Sequence, residues 1–103
     1  PMLWFKSWGN PSHPAFVFLH GFMGSHLDFL PIIEVLQTEF YCLAIDLPGH
    51  GNSSSFVPQS IEEFDDLVTL TIQKNISSPF TLVGYSMGGR VALKLSSRLQ
   101  PSM

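Results

Sequence analysis

Thr81-Leu82-Val83-Gly84-Tyr85-Ser86-Met87-Gly88-Gly89-Arg90 is the stretch that decides the fold. An apolar, β-branched run arrives at Gly84, and Ser86 sits at the centre of Gly-x-Ser-x-Gly. Val91-Ala92-Leu93-Lys94-Leu95 then leaves with a helical pattern. Strand, tight turn and helix, in that order, make the pentapeptide a candidate nucleophile elbow, with the serine hydroxyl pushed out of the sheet on a strained turn. Gly84 and Gly88 lack a Cβ, so strand and helix can approach closely there. Gly89 adds a further glycine to the first helical turn, where each one costs about 1 kcal/mol relative to alanine. That pair predicts close approach by another piece of backbone. The plain alternative is a glycine-rich bend that only turns the chain.

Upstream, Ala15-Phe16-Val17-Phe18-Leu19 is a continuous apolar run between turn residues, the pattern of a strand buried on both faces. Phe40 to Ile45 reads the same way, and Phe80 to Tyr85 is a third strand. Met2 to Trp8 is short, aromatic and strand-like, and Gly9 to Pro14 is a turn cluster. From Asp28 to Leu36, Phe29, Leu30, Ile33 and Leu36 recur at helical spacing, with Pro31 in the first turn. Ser60 and Glu63 predict a capping box. Ile61, Phe64, Leu67, Val68 and Ile72 then line one helical face, Glu62, Asp65, Asp66 and Lys74 take the other, and Asn75 to Pro79 ends the helix. Met87 to Leu99 is the helix behind the serine. Strands alternating with helices imply an α/β fold with a parallel sheet in one domain.

Composition narrows the function classes. With 103 residues, 45% hydrophobic and 13% charged, the chain is sized for one small domain with a modest core. A net charge of -3 and the lack of a basic patch argue against a nucleic-acid partner. No apolar run has the length of a membrane span, so no membrane partner is expected. Pro1 to Trp8 lacks the apolar region of a signal peptide, and the single Cys42 lies in an apolar run, as a core residue of a reducing compartment does. A cytoplasmic location is the resulting expectation. The histidines show no metal-ligand spacing, and neither a metal nor another cofactor is expected.

In a parallel α/β sheet the C-terminal strand ends form one rim where ligands bind. His20-Gly21-Phe22, Asp46 to Ser53 and Ser86-Met87 should therefore converge. A reaction that develops an oxyanion needs backbone donors aimed at it. The N–H of Met87, at a helix start where donors are unpaired, is one candidate, and the N–H of Phe22 is the other. His20 precedes the serine, against the order serine, acid, histidine, so a structural hydrogen-bonding role is expected of it. His50 and Asp46 are expected to shape the turn after the second strand, while His13 and His26 carry no signal. Arg90 lies four residues after Ser86, about one turn away on the same side. A cation there opposes the helix macrodipole at roughly 0.3–1 kcal/mol. It is either a solvated arginine or a bidentate clamp for a substrate carboxylate.

Leu19-His20-Gly21-Phe22, Asp46-Leu47-Pro48-Gly49-His50-Gly51-Asn52-Ser53 and Gly84-Tyr85-Ser86-Met87-Gly88-Gly89 together resemble the α/β-hydrolase superfamily. Within it, Leu82 to Arg90 and His20 to Ser25 are similar to the MenH family, the 2-succinyl-6-hydroxy-2,4-cyclohexadiene-1-carboxylate synthases of menaquinone biosynthesis. That resemblance implies a lyase on a hydrolase scaffold, in which a serine triad takes a proton from a carboxylated small molecule and pyruvate is eliminated. It implies Ser86 as the catalytic serine, Phe22 and Met87 as oxyanion donors, and Tyr85 and Arg90 as substrate contacts. A serine esterase or C–C bond hydrolase is the alternative.

No Asp, Glu or His follows Ser86, and only Arg90, Lys94 and Arg98 are charged between Met87 and Met103. A serine hydroxyl without a general base is a weak nucleophile. The expectation is an α/β-hydrolase fold truncated after the nucleophile helix, residues 1–103 being the N-terminal part of one domain. Such a chain is inactive alone, or dependent on a partner chain that supplies the C-terminal half. A catalytically inactive fragment is thus a third reading.

Overall fold

The computed structural model describes residues 2–77 and 79–99; Pro1, Ser78 within the predicted helix end, and residues 100–103 of the tail lie outside it. Four strands form one sheet, β1 (Phe5–Trp8), β2 (Ala15–Leu19), β3 (Tyr41–Ile45) and β4 (Phe80–Gly84), in the order β1-β3-β2-β4. Helices α1 (Leu30–Leu36), α2 (Ile61–Asn75) and α3 (Met87–Leu99) follow β2, β3 and β4. β2, β3 and β4 are parallel, as expected, but β1 runs antiparallel to β3, so the sheet is mixed. The cause is the short connection through Gly9, at φ 89°. It reverses the chain between β1 and β2 with no crossover, so β1 runs against β2 and hence against β3, which lies between them parallel to β2. β1 is an edge strand, and the exposed Lys6 guards it as lysines on edges do.

Period-two alternation assigns β2 to two cores at once. Val17 and Leu19 join Leu43, Ile45, Val68, Ile72, Val91 and Leu95 on the face covered by α2 and α3. Phe18 joins Ile33, Cys42 and Ala44 on the face covered by α1. Leu19 pairs with both Ile45 and Gly84, so the three parallel strands end level. His20, Asp46 and Tyr85 therefore emerge side by side on one rim.

Several local features depart from the sequence pattern. The segment before α1 is a 3-10 turn over His26–Phe29, and the α-helix begins only at Leu30, with Pro31 in its first turn. A capping box forms there: Ser25 Oγ accepts from the Leu27 N–H and Asp28 Oδ2 from the Ser25 N–H. At α2 the expected box is only half made. Ser60 Oγ accepts from the Glu63 N–H at 3.1 Å, but the Glu63 carboxylate reaches past the cap to the Gln59 N–H. Two residues of α2 also depart from the expected faces: Ile61, the first residue of the helix, is exposed, and Asp65 is buried. Asp65 precedes the buried Val68 by three and the buried Ile72 by seven, which puts it on the core stripe.

Candidate functional site

Ser86 has φ 55°, a left-handed conformation that costs a non-glycine residue free energy. The neighbours hold it there. The Tyr85 N–H donates to Leu19 O at 3.0 Å, the Gly88 N–H to Tyr85 O at 2.9 Å and the Arg90 N–H to Ser86 O at 3.1 Å. A Cβ on Gly84 would overlap the backbone of Gly88, and one on Gly88 would overlap the backbones of Leu19 and His20. The expected close approach is thus real at these two glycines. It does not extend to Gly89, where a Cβ would meet Gly84 O at an ordinary 3.5 Å.

The three loops converge as the parallel strands require. A Cβ on Gly21 would lie 2.9 Å from the Tyr85 ring and 3.2 Å from Ser86 Cβ, so the His20-Gly21-Phe22 loop passes directly over the serine. Among the described residues, neither the Phe22 N–H nor the Met87 N–H has a hydrogen-bond partner. Met87 opens α3, whose positive dipole end faces the turn. Ser86 and the Tyr85 and Phe22 side chains are exposed. A cavity of about 290 Å³ against Tyr85 is lined by His20, Gly21, Asp28, Phe29 and Tyr85.

His20 is fully buried and structural. Its Nε2 accepts from the Leu47 N–H at 2.9 Å, which leaves the proton on Nδ1 to donate to Gly21 O at 2.8 Å. Burial pushes its pKa down, and the nearby His50 ring adds to that. Asp46 is also fully buried. Burial alone would raise its pKa, but the Asn52 and His26 N–H donors and the His26 ring outweigh that and hold the carboxyl below its ordinary value. It shapes the turn after β3, as does His50, whose Nδ1 lies 3.0 Å from Pro48 O.

Arg90 does not line the cavity against Tyr85. Its Nη2 lies 3.3 Å from Asp65 Oδ1, and its guanidinium sits over the Phe64 ring at 5.8 Å. The arginine side chain keeps 42% of its surface exposed, against 2% for Asp65, so part of its donor fork still faces solvent. Asp65 escapes a simple face count, yet a carboxylate on a core stripe is itself a signal that a cation must meet it. His26 has no comparable signal. It is buried, bonds Asp46 Oδ1 through its N–H and its Nδ1, and packs its ring against Trp4, centroids 4.5 Å apart and planes tilted by 46°. No motif spacing links residues 4, 26 and 46. Among the described residues, no cluster of His, Cys, Asp and Glu could hold a metal ion, and no helix is long and apolar enough to cross a membrane.

A strained serine between a parallel strand and a helix, under a His-Gly loop on the same rim, defines an α/β sheet with a serine-centred site. The chain belongs to the alpha/beta hydrolase fold family, whose sequence profile matches residues 14–103. Among curated proteins it is 42% identical over 80 residues to the 2-succinyl-6-hydroxy-2,4-cyclohexadiene-1-carboxylate synthase of Yersinia enterocolitica, covering 78% of this chain and 29% of that one. Among solved structures it is similar to MenH from S. aureus, with TM-score 0.79 and 33% identity, covering 89% of this chain and 36% of that one. It is similar also to a marine microorganism esterase, with TM-score 0.83 and 27% identity, covering 94% of this chain and 37% of that one. The chain thus spans about a third of the length of the relatives it matches.

Proposed function

We propose that residues 1–103 carry the serine half of a MenH-like active site, in which proton abstraction from a carboxylated small molecule leads to elimination of pyruvate. The observation that carries this reading is Ser86 at φ 55°, with the Phe22 and Met87 N–H groups, unpartnered among the described residues, on the same rim. A histidine backed by an acid, from outside this chain's residues or from a partner chain, draws the proton from Ser86 Oγ. The resulting alkoxide takes a proton from substrate carbon, the electron pair left there moves to break the bond to the leaving group, and pyruvate departs as its enolate, taking up the proton held on the histidine. Phe22 and Met87 N–H groups meet the negative charge that develops on oxygen. Tyr85, exposed at the cavity wall, contacts the substrate, and the open part of the Arg90 fork receives a substrate carboxylate.

The position of Arg90 favours a second reading, a serine esterase or C–C bond hydrolase. In that case Asp65 already satisfies the arginine, and Ser86 forms an acyl-enzyme. The deciding experiment pairs this chain with a polypeptide corresponding to the remaining two thirds of a MenH relative. Pyruvate release and ester hydrolysis are then followed with Ser86 and with Ser86→Ala. Serine-dependent pyruvate release, weakened by Arg90→Ala and partly recovered by Arg90→Lys, supports the synthase. Ester hydrolysis alone supports the second reading. The 103-residue chain by itself should turn over neither substrate above its Ser86→Ala control.

A further inference from the structure

The loop that carries the Phe22 N–H runs from His20 to His26, and both of its ends are fastened to one dipeptide, Asp46-Leu47, just after β3. At the near end the Leu47 N–H donates to His20 Nε2 at 2.9 Å. At the far end His26 donates twice to Asp46 Oδ1, from its N–H at 2.7 Å and from Nδ1 at 2.9 Å. The other carboxylate oxygen accepts from the Asn52 N–H at 2.9 Å, so each oxygen serves a different loop. A carboxylate with no exposed surface persists only where donors replace its water. The sheet does not depend on this arrangement, since its strands pair through backbone and its faces are covered by apolar side chains.

We infer that Asp46, acting through the His26 ring, is a positioning residue that holds the oxyanion loop at a fixed height over Ser86. The inference rests on the proposed role of the Phe22 N–H. A loop held only at His20 can swing about that end; a loop held at both ends cannot. The distance that matters is short, because Gly21 already packs against Tyr85 and Ser86 with no room for a Cβ. Any swing therefore changes where the Phe22 N–H points relative to the serine oxygen.

The test is residue-resolved amide exchange by NMR on the 103-residue chain. The reporter is the Gly24 N–H, which donates to Gly21 O at 3.0 Å inside the loop and does not touch Asp46. His26→Phe keeps an aromatic ring against Trp4 but removes the side-chain donor. His26→Asn removes the ring but places an amide N–H near the Nδ1 position. With the clamp as described, His26→Phe speeds Gly24 exchange about tenfold or more, because a hydrogen bond to a charged acceptor is lost. His26→Asn stays near wild type, and α2 and β2 amides stay within about twofold in both. If packing on Trp4 were what fixed the loop, the order of the two variants would reverse. That reversal, or equal exchange in both variants, overturns the inference. The readout needs no turnover, so loss of the serine-chemistry proposal and loss of the clamp are seen separately.

Discussion

Gly88 and Gly89 are neighbours in the first turn of α3, yet alanine should act on them in opposite directions. A Cβ at Gly88 lies on Leu19 O and C and 2.6 Å from His20 O. All three atoms are backbone, so no side chain can rotate away. α3 would have to lift from β2, straining the Tyr85 N–H bond to Leu19 O that fixes the serine turn. Overpacking of this kind costs about 1–3 kcal/mol or more, against about 1 kcal/mol gained from helix propensity. At Gly89 the nearest atoms to a Cβ are Gly84 O at 3.5 Å and Gly84 C at 3.7 Å, so only the propensity gain remains. Each kcal/mol moves the midpoint of a domain this size by roughly 4–8 °C. With three backbone atoms inside 3 Å the overpacking cost sits at the upper end of that range, about 3 kcal/mol, so thermal unfolding followed by far-UV circular dichroism should show Gly88→Ala lower by roughly 8–16 °C and Gly89→Ala higher by roughly 4–8 °C. A Gly88→Ala chain as stable as the wild type would refute the claim that strand and helix meet there backbone to backbone.

Acid should weaken the fold in two stages. His20 is held below its ordinary value, so its contribution is full above about pH 6.5 and is lost as pH falls through its folded value. Asp46 is likewise depressed, so its share is full above about pH 4 and goes at still lower pH. Denaturation midpoints of wild type and Asp46→Asn should therefore converge as pH drops below the carboxylate range; a constant gap would show that Asp46 stays unlinked to protons. The open edge of β4, which pairs only with β2 among the described strands, should make the 103-residue chain associate as concentration rises. Light scattering should show this, with Thr81→Lys reducing it, whereas a concentration-independent monomer with a cooperative transition would rule it out.

How much of this was legible in the sequence depended on what each feature rests on. Strands β2, β3 and β4 could be read to within a residue: burial on both faces leaves β2 and β3 an unbroken apolar run, and β4, only half-buried, is marked by its apolar run into the glycine turn. The serine turn was legible because glycine is forced at Gly84 and Gly88 by backbone contact, which no other residue type can satisfy. The direction of β1 was not, since four residues of strand pattern carry no polarity and only the length of the following turn decides it. The Asp65–Arg90 pair and the His26–Asp46 pair were missed for a related reason. They join residues 25 and 20 positions apart, on separate elements, and periodicity speaks only of one element at a time.

The polar groups of this chain sort themselves by whether folding leaves them a partner. His20, Asp46 and Asp65 are buried, and each is bonded to a group on another element, which is the condition under which a buried polar group can be kept. They explain why the rim holds its shape. The Phe22 and Met87 N–H groups are on that same rim without partners among the described residues, beside an exposed serine in a costly backbone conformation. Strain and unpaired donors both lower stability, and here they coincide around one oxygen. Arg90 falls between the groups, bonded to Asp65 on one side and open on the other. Its contribution to substrate choice therefore depends on whether an incoming carboxylate can share the guanidinium with Asp65, and the planar five-donor fork is the feature that lets both bind at once.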